Sequence, residues 1–252
     1  MPGILDFASS FVGSLLAEGR GVMAIKNPNR PELPLELYDM EGSPFCRVVR
    51  EVMTQLDLNV IIYPCPKNGT RFRPMVEELG GKQQFPFLVD PNTNQQMYES
   101  HDIIAYLYDH YGDGKSVSKL ATKAIRTPAS IAISIVRLFK GIKVRESKQP
   151  EKPLILYSFE SSPFARFVRE SLCEHELPYL LLNVGRTEWQ DYVPPPVRER
   201  LLSNFRPNHK NRLELTERSG NVTVPYLIDP NTDVEMGESA DILEYLDHNY
   251  AI

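Results

Sequence analysis

Short apolar runs of strand length alternate along this chain with stretches whose apolar residues recur every three or four positions, and the whole order occurs twice. In the first half, Leu35-Glu36-Leu37-Tyr38 predicts a strand, followed by a turn at Gly42-Ser43-Pro44. Val48, Val49, Val52, Met53 and Leu56 then follow helical spacing. Val60-Ile61-Ile62-Tyr63 is a second strand, halted by Pro64 and Pro66. A polar helical stretch leads to a strand from Pro86 to Val89, the turn Asp90-Pro91-Asn92-Thr93-Asn94, and a short strand ending near Tyr98. Ser100 is placed to cap a last helix with Ile103, Ile104, Leu107 and Tyr111 facing inward.

The second half repeats this grammar with Leu154-Ile155-Leu156-Tyr157, Ser161-Ser162-Pro163-Phe164-Ala165 and Val224-Pro225-Tyr226-Leu227-Ile228-Asp229-Pro230-Asn231-Thr232. Ser239 stands as its cap, with Ile242, Leu243, Leu246 and Tyr250 inward. An insertion before its third strand contains Pro194-Pro195-Pro196 and reads as a longer helix plus loop. The expected fold is therefore α/β, with two thioredoxin-like domains in tandem, each a four-stranded mixed sheet with flanking helices. The boundaries are 1–30 for an N-terminal apolar helix and lead-in, 31–113 for domain one, 114–152 for a basic linker with an apolar helix, and 153–252 for domain two.

Each core is preceded by an apolar helical stretch. The first holds Leu5, Phe7, Ala8, Phe11, Val12, Leu15 and Leu16. The second holds Ile131, Ala132, Ile135, Val136, Leu138, Phe139 and Ile142, with Ser130, Ser134, Arg137 and Gly141 as a narrow polar stripe. One reading packs these helices on or between the domains. The other lays the 129–145 helix on a membrane surface, because Lys140, Lys143 and Arg145 accompany it.

Charge narrows the partners. The net charge of −5 over 252 residues argues against a nucleic-acid surface, although Lys115 to Lys152 is locally basic. Three cysteines, Cys46, Cys65 and Cys173, are too few for a disulfide framework and point to a reducing compartment. Cys65 is expected near the sheet end that carries Cys46, either as its redox partner or as a loop thiol, and Cys173 reads as core packing. The five histidines form no metal or catalytic constellation and read as surface residues; no metal site is expected.

Three features carry candidate chemistry in each half. Phe85-Pro86 and Val224-Pro225 open strands with a proline suited to a cis peptide, where the preceding residue can offer its backbone to an extended peptide. Ser43-Pro44-Phe45-Cys46 and Ser162-Pro163-Phe164-Ala165 each open a helix, whose N-terminal amides favour an anion or thiolate. Glu99-Ser100 and Glu238-Ser239 begin another helix and can hold a carboxylate and an amino group. Together they describe a cradle for a small peptide with a thiol and a zwitterionic head.

These motifs resemble the glutaredoxin-like N-terminal domain of glutathione transferases, in tandem, and are especially similar to the tandem transferase-N-domain proteins of plant and algal plastids. The first copy also resembles the membrane-associated prostaglandin E synthase type 2 motif. The resemblance implies glutathione as ligand and a chloroplast location, with the cytoplasm as the alternative. It places Ser43 and Ser162 where glutaredoxins have their nucleophilic cysteine, and Cys46 on the resolving cysteine. Catalysis, as transferase or thiol–disulfide oxidoreductase, would rest on Cys46 and Ser43. Phe45, Phe85, Pro86, Glu99, Ser100, Ser162, Val224, Pro225, Glu238 and Ser239 would bind glutathione. The chain departs from the pattern in lacking the leading cysteine, in Ala165, and in having a second copy where transferases have a helical domain. The expected function is a degenerate glutathione-binding protein with weak Cys46-dependent thiol transfer. The alternative is a non-catalytic interaction or assembly factor, membrane-peripheral and bound to a protein partner.

Overall fold

Why the two halves cannot be separate sheets follows from their second strands. Both Val60–Pro64 (β2) and Tyr179–Asn183 (β6) are apolar runs that would be bare edges of a four-stranded sheet. They pair with each other instead, antiparallel, with Val60 opposite Leu181, Ile61 opposite Leu180 and Ile62 opposite Tyr179. The result is one mixed eight-stranded sheet of order β4-β3-β1-β2-β6-β5-β7-β8. The two sheets expected from the sequence are joined, because pairing removes two exposed apolar edges at once.

The computed structural model describes residues 3–16, 21–25, 29–112, 127–193, 197, 200 and 206–252. After the leader helix Ile4–Leu16 (α1), the first half runs β1 (Leu35–Asp39), α2 (Pro44–Gln55), β2, α3 (Arg73–Gly80), β3 (Phe87–Asp90), β4 (Gln95–Met97) and α4 (Ser100–Tyr111). A second leader, Thr127–Val136 (α5), precedes β5 (Leu154–Ser158), α6 (Pro163–Glu174), β6, a 3₁₀ turn at Trp189–Tyr192, α7 (Lys210–Ser219), β7 (Tyr226–Asp229), β8 (Val234–Gly237) and α8 (Ser239–Tyr250). In each half the first two strands are parallel and the third and fourth antiparallel, so β1 lies between β2 and β3. The Pro194-Pro195-Pro196 insertion and the basic stretch from Lys115 to Arg126 fall outside the described residues.

Strand alternation divides the core. Leu35 and Leu37 face α2 and α4 in a cluster that continues through Leu154 and Leu156 into the second half. Tyr38 faces the other way, against Phe72, Val76 and Phe87 under α3, and Tyr157 does the same against Leu215 under α7. Each third-strand turn is locked alike. Asp90 accepts from the Tyr106 hydroxyl (2.7 Å), from Tyr111 and from Asn92, and Asp229 accepts from Tyr245 (2.7 Å), Tyr250 and Asn231. Burial works against both carboxylates, but these donors outweigh it and hold them below their ordinary pKa.

The leaders cross over. Helix α1 packs on α6 of the second half, where Ser10 Oγ donates to Pro163 O at 2.7 Å and Phe7 and Phe11 meet Phe164. Helix α5 packs on α2 of the first half, where Ser130 Oγ donates to Pro44 O at 2.9 Å. The chain after each leader turns through a left-handed glycine, Gly21 (φ 66°) and Gly141 (φ 78°). A side chain there would place its Cβ 2.8 Å from Glu160 Cβ and 2.9 Å from Glu41 Cβ respectively, so glycine is required on both conformational and steric grounds.

Four expectations change. Helix α5 ends at Val136 rather than continuing through Ile142. Its polar stripe faces inward: Ser130, Ser134 and Arg137 are buried while Ile131 and Ile135 are exposed. Ser100 and Ser239 are not caps but the first helical residues; Glu99 and Glu238 occupy the cap positions, without a side-chain cap bond. His175 and His209 are buried, not superficial: His209 Nδ1 accepts the Arg212 N–H at 3.3 Å and its Nε2 meets Asp57 from the other half.

Candidate functional site

The carboxyl end of β1 delivers the chain to Ser43, whose extended backbone (φ −75°, ψ 127°) and hydroxyl make it the N-cap of α2. Ser43 Oγ accepts the Cys46 N–H at 3.5 Å, and Pro44 takes the first helical position, where no N–H is needed. Ser162 caps α6 in the same way, accepting from Ala165 N–H at 3.3 Å. Both Phe85-Pro86 and Val224-Pro225 are cis. Since Tyr38 pairs with Phe87 and Leu88 with Met97, Pro86 and the Glu99-Ser100 corner both lie at the sheet end where α2 begins. The three predicted features of half one are therefore gathered at one end. Gln84 reaches across from the strand lead-in to donate to the Glu99 carboxylate, and the Arg73 guanidinium sits 4.6 Å over the Phe85 ring.

The two ends of this cradle differ. At the head end, Glu99 and Glu238 are exposed and both hold a left-handed backbone, φ 64° and 63°, unusual for a non-glycine residue. Ser100 and Ser239 lie buried beneath them. At the helix tips the space is taken. Gly42 N–H donates to Gly141 O at 3.5 Å, and Ser161 N–H to Gly21 O at 2.9 Å, so each tip is strapped by the other half's leader segment. A Cβ on Gly42 would fall 2.6 Å from the Ile142 side chain, which measures how closely that strap lies. Ser43, Ser162, Pro86 and Pro225 are buried, Phe85 and Val224 half-buried, and Phe45 and Phe164 point outward.

Cys46 is fully buried. Burial pushes its thiol pKa up to about 12, the charge of Asp39 adds to the rise, and Arg50 and the Met40 N–H (3.5 Å to the sulfur) only partly oppose it. At neutral pH it is a protonated thiol packed in the core. Cys65 and Cys173 are likewise buried, free and raised well above the ordinary value by burial. Cys65 donates to Tyr63 O and Cys173 accepts from Glu41 N–H at 3.3 Å. Among the described residues no group of three or more His, Cys, Asp or Glu side chains could hold a metal ion.

Beside the thiol lies a cluster that sequence reasoning missed. Arg50 donates to Asp39, to Glu160 Oε2 at 2.9 Å and to Glu41 O at 3.1 Å. Arg169 donates to Glu41 Oε1 at 3.2 Å, Ser158 Oγ at 2.9 Å and Glu160 O at 2.7 Å. All are buried, and each arginine reaches a glutamate of the opposite half. Three carboxylates share two guanidiniums. Glu160 lies between both arginines; burial opposes its ionisation, but their charges hold its pKa down at about 2. Asp39 meets only one, and burial raises it to about 6. The available signal was an arginine at the same place in both apolar helix faces.

A family model for the glutathione S-transferase N-terminal domain matches residues 37–115 and again residues 156–251, and the chain belongs to that family. Among solved structures, the Bombyx mori glutathione transferase BmGSTD1 in complex with GTT is similar at 27% identity, with a TM-score of 0.31, over 33% of this chain and 39% of that one. The Leishmania protein TDR1, a trimeric glutathione transferase, is similar at 14% identity, with a TM-score of 0.29, over 86% of this chain and 67% of that one. This chain therefore spans about two-fifths of the length of the silkworm transferase it matches. No curated protein matches it.

Proposed function

We propose that this protein is two thioredoxin-like units, bounded as read from the sequence and fused edge to edge, that keep the transferase N-terminal fold as a non-catalytic interaction or assembly scaffold. The observation that carries this reading is the strapping of both helix tips by the opposite leader, over a thiol that is buried in one half and replaced by Ala165 in the other. A thiolate at a helix tip is useful only if it is deprotonated and reachable. Cys46 meets neither condition, so thiol transfer is not part of the proposal. Family membership and the resemblance support a glutathione-related ancestry and a plastid location, the latter testable by imaging a fluorescent fusion.

A second reading, glutathione held by its γ-glutamyl head alone, is favoured by the open Glu99 corner and its left-handed backbone in both halves. Calorimetry with glutathione, together with mass-spectrometric alkylation of the native protein, separates the readings. The scaffold predicts no heat of binding at millimolar glutathione and alkylation of Cys46 only on unfolding. Binding that vanishes in Glu99→Ala selects the second reading. Rapid native alkylation of Cys46 overturns the first.

A further inference from the structure

Both leader helices bury polar residues and leave large apolar ones exposed. On α5 the residues packed against the protein are Thr127, Ser130, Ile133, Ser134 and, just beyond it, Arg137, so that one apolar side chain is buried among four polar ones. The residues facing solvent are Ile131, Ile135 (55% exposed), Leu138 (81%) and Phe139 (45%). On α1 the pattern recurs: Ser10 and Gly13 are buried, and Phe11 (46%) and Val12 (44%) are exposed. An ordinary surface helix buries its large apolar residues and exposes its small polar ones. Here the inner face is secured by hydroxyl-to-carbonyl bonds and by Arg137, which donates to Glu170 at 2.6 Å, leaving the apolar residues for another medium.

The turn after α5 strengthens the point. Leu138 and Phe139 are consecutive residues in the left-handed region, φ 51° and 53°. That region is unfavourable for a residue with a Cβ, and glycine or asparagine ordinarily fills it at a helix end. Two bulky apolar side chains are thus held in an unfavourable backbone and presented to solvent. Neither burial nor local preference rewards either choice. Charge then selects the partner: Lys140, Lys143 and Arg145 follow the turn in a stretch, residues 114–145, that holds no acidic residue in a chain of net charge −5, and while Lys140 pairs with Asp6 and Arg145 with Glu174, Lys143 stands exposed.

We propose that the outer faces of α1 and α5, with the Leu138-Phe139 turn, form a docking surface for an anionic lipid bilayer. The apolar side chains enter the interfacial layer and the flanking bases meet the headgroups. The contact is peripheral, for no described helix is long and apolar enough to cross a membrane. It is independent of any ligand at the Glu99 corner.

The test is co-sedimentation of the full chain with vesicles of phosphatidylcholine plus phosphatidylglycerol, against phosphatidylcholine alone. The chain is expected to bind the anionic vesicles and release at high salt. In Leu138→Asn/Phe139→Asn the binding should weaken by about tenfold or more, since two large apolar side chains no longer leave water on docking. Asparagine tolerates the left-handed backbone, so this variant should melt no lower than the parent, which separates lost docking from lost folding. Lys143→Ser, exposed and outside the apolar turn, should weaken binding to the anionic vesicles by about fivefold. Absence of vesicle binding by the parent, or unchanged binding by the double asparagine variant, overturns the proposal. So does a dimer in sedimentation equilibrium that the variant dissolves, because the face would then belong to a second copy.

Discussion

Helix α2 and helix α6 begin with the same backbone, the same serine cap and the same proline, yet one carries Cys46 and the other Ala165 in the same fully buried place. The second half shows that the position needs only a small apolar group, and the first that a thiol placed there becomes one. A fold can thus keep the outline of a thiol site while the residue within it serves packing alone. A parallel contrast lies in the buried ion cluster, where Asp39 of one half stands in the place that Ser158 takes in the other. Arg50 must therefore balance one more carboxylate than Arg169 does.

The sharpest way to break this comparison is to remove each arginine. Arg50→Met strands Asp39 and takes one of two arginines from Glu160 and Glu41, and should cost about 3–5 kcal/mol in urea unfolding. Arg169→Met leaves Glu41 and Glu160 with Arg50 and should cost less. Equal losses would show that the extra aspartate carries no weight.

Next in size is a pH effect confined to the first half. The folded Asp39 carboxyl titrates at about 6 against an ordinary 3.8, so the native state holds the extra proton between those values. Stability contributed by this group is present below 3.8 and is lost as pH rises through 6. Glu160, held at about 2 against an ordinary 4.5, acts oppositely and adds stability as pH rises between those values. In Asp39→Ser, which copies Ser158, the decline toward pH 6 should vanish, as read from urea midpoints across the series.

The caps should answer alike. Ser43→Ala and Ser162→Ala each remove one side-chain acceptor from a helix start, and each should lower stability by about 1 kcal/mol. Unequal losses in thermal melts would show that the two tips are not equivalent. The smallest effect belongs to the thiol. Cys46→Ala copies the second half and should change stability by less than about 1 kcal/mol, while Ala165→Cys should produce a thiol that resists alkylation in the native state.

Much of the fold was legible because it is local. The inward faces of α2, α4 and α8 follow apolar spacing, and the Ser-Pro turns open α2 and α6 as read, although the serine caps expected at Ser100 and Ser239 are found instead at Ser43 and Ser162. Both strand-leading prolines are cis as read. The joined sheet and the crossed leaders were not legible, because Val60 meeting Leu181 and Ser10 meeting Pro163 are choices among distant partners that no short pattern encodes. The direction faced by α5 was hidden for a related reason. Its composition reads as a core helix, and only the identity of its neighbours decides which stripe is inside. Of the candidate site, the gathering of the Ser43 turn, Pro86 and the Glu99 corner at one sheet end was readable, but the straps that close the tips come from the opposite half.

Those straps bear on how the chain must be made. Helix α1 leaves the ribosome well before α6, and the carbonyl that receives Ser10 belongs to a residue 153 positions later. Until α6 has formed, α1 has nowhere to dock, and α2 in turn waits for α5 to cover it. Neither half can be finished alone, so cutting the gene between them should yield two sticky fragments rather than two working units.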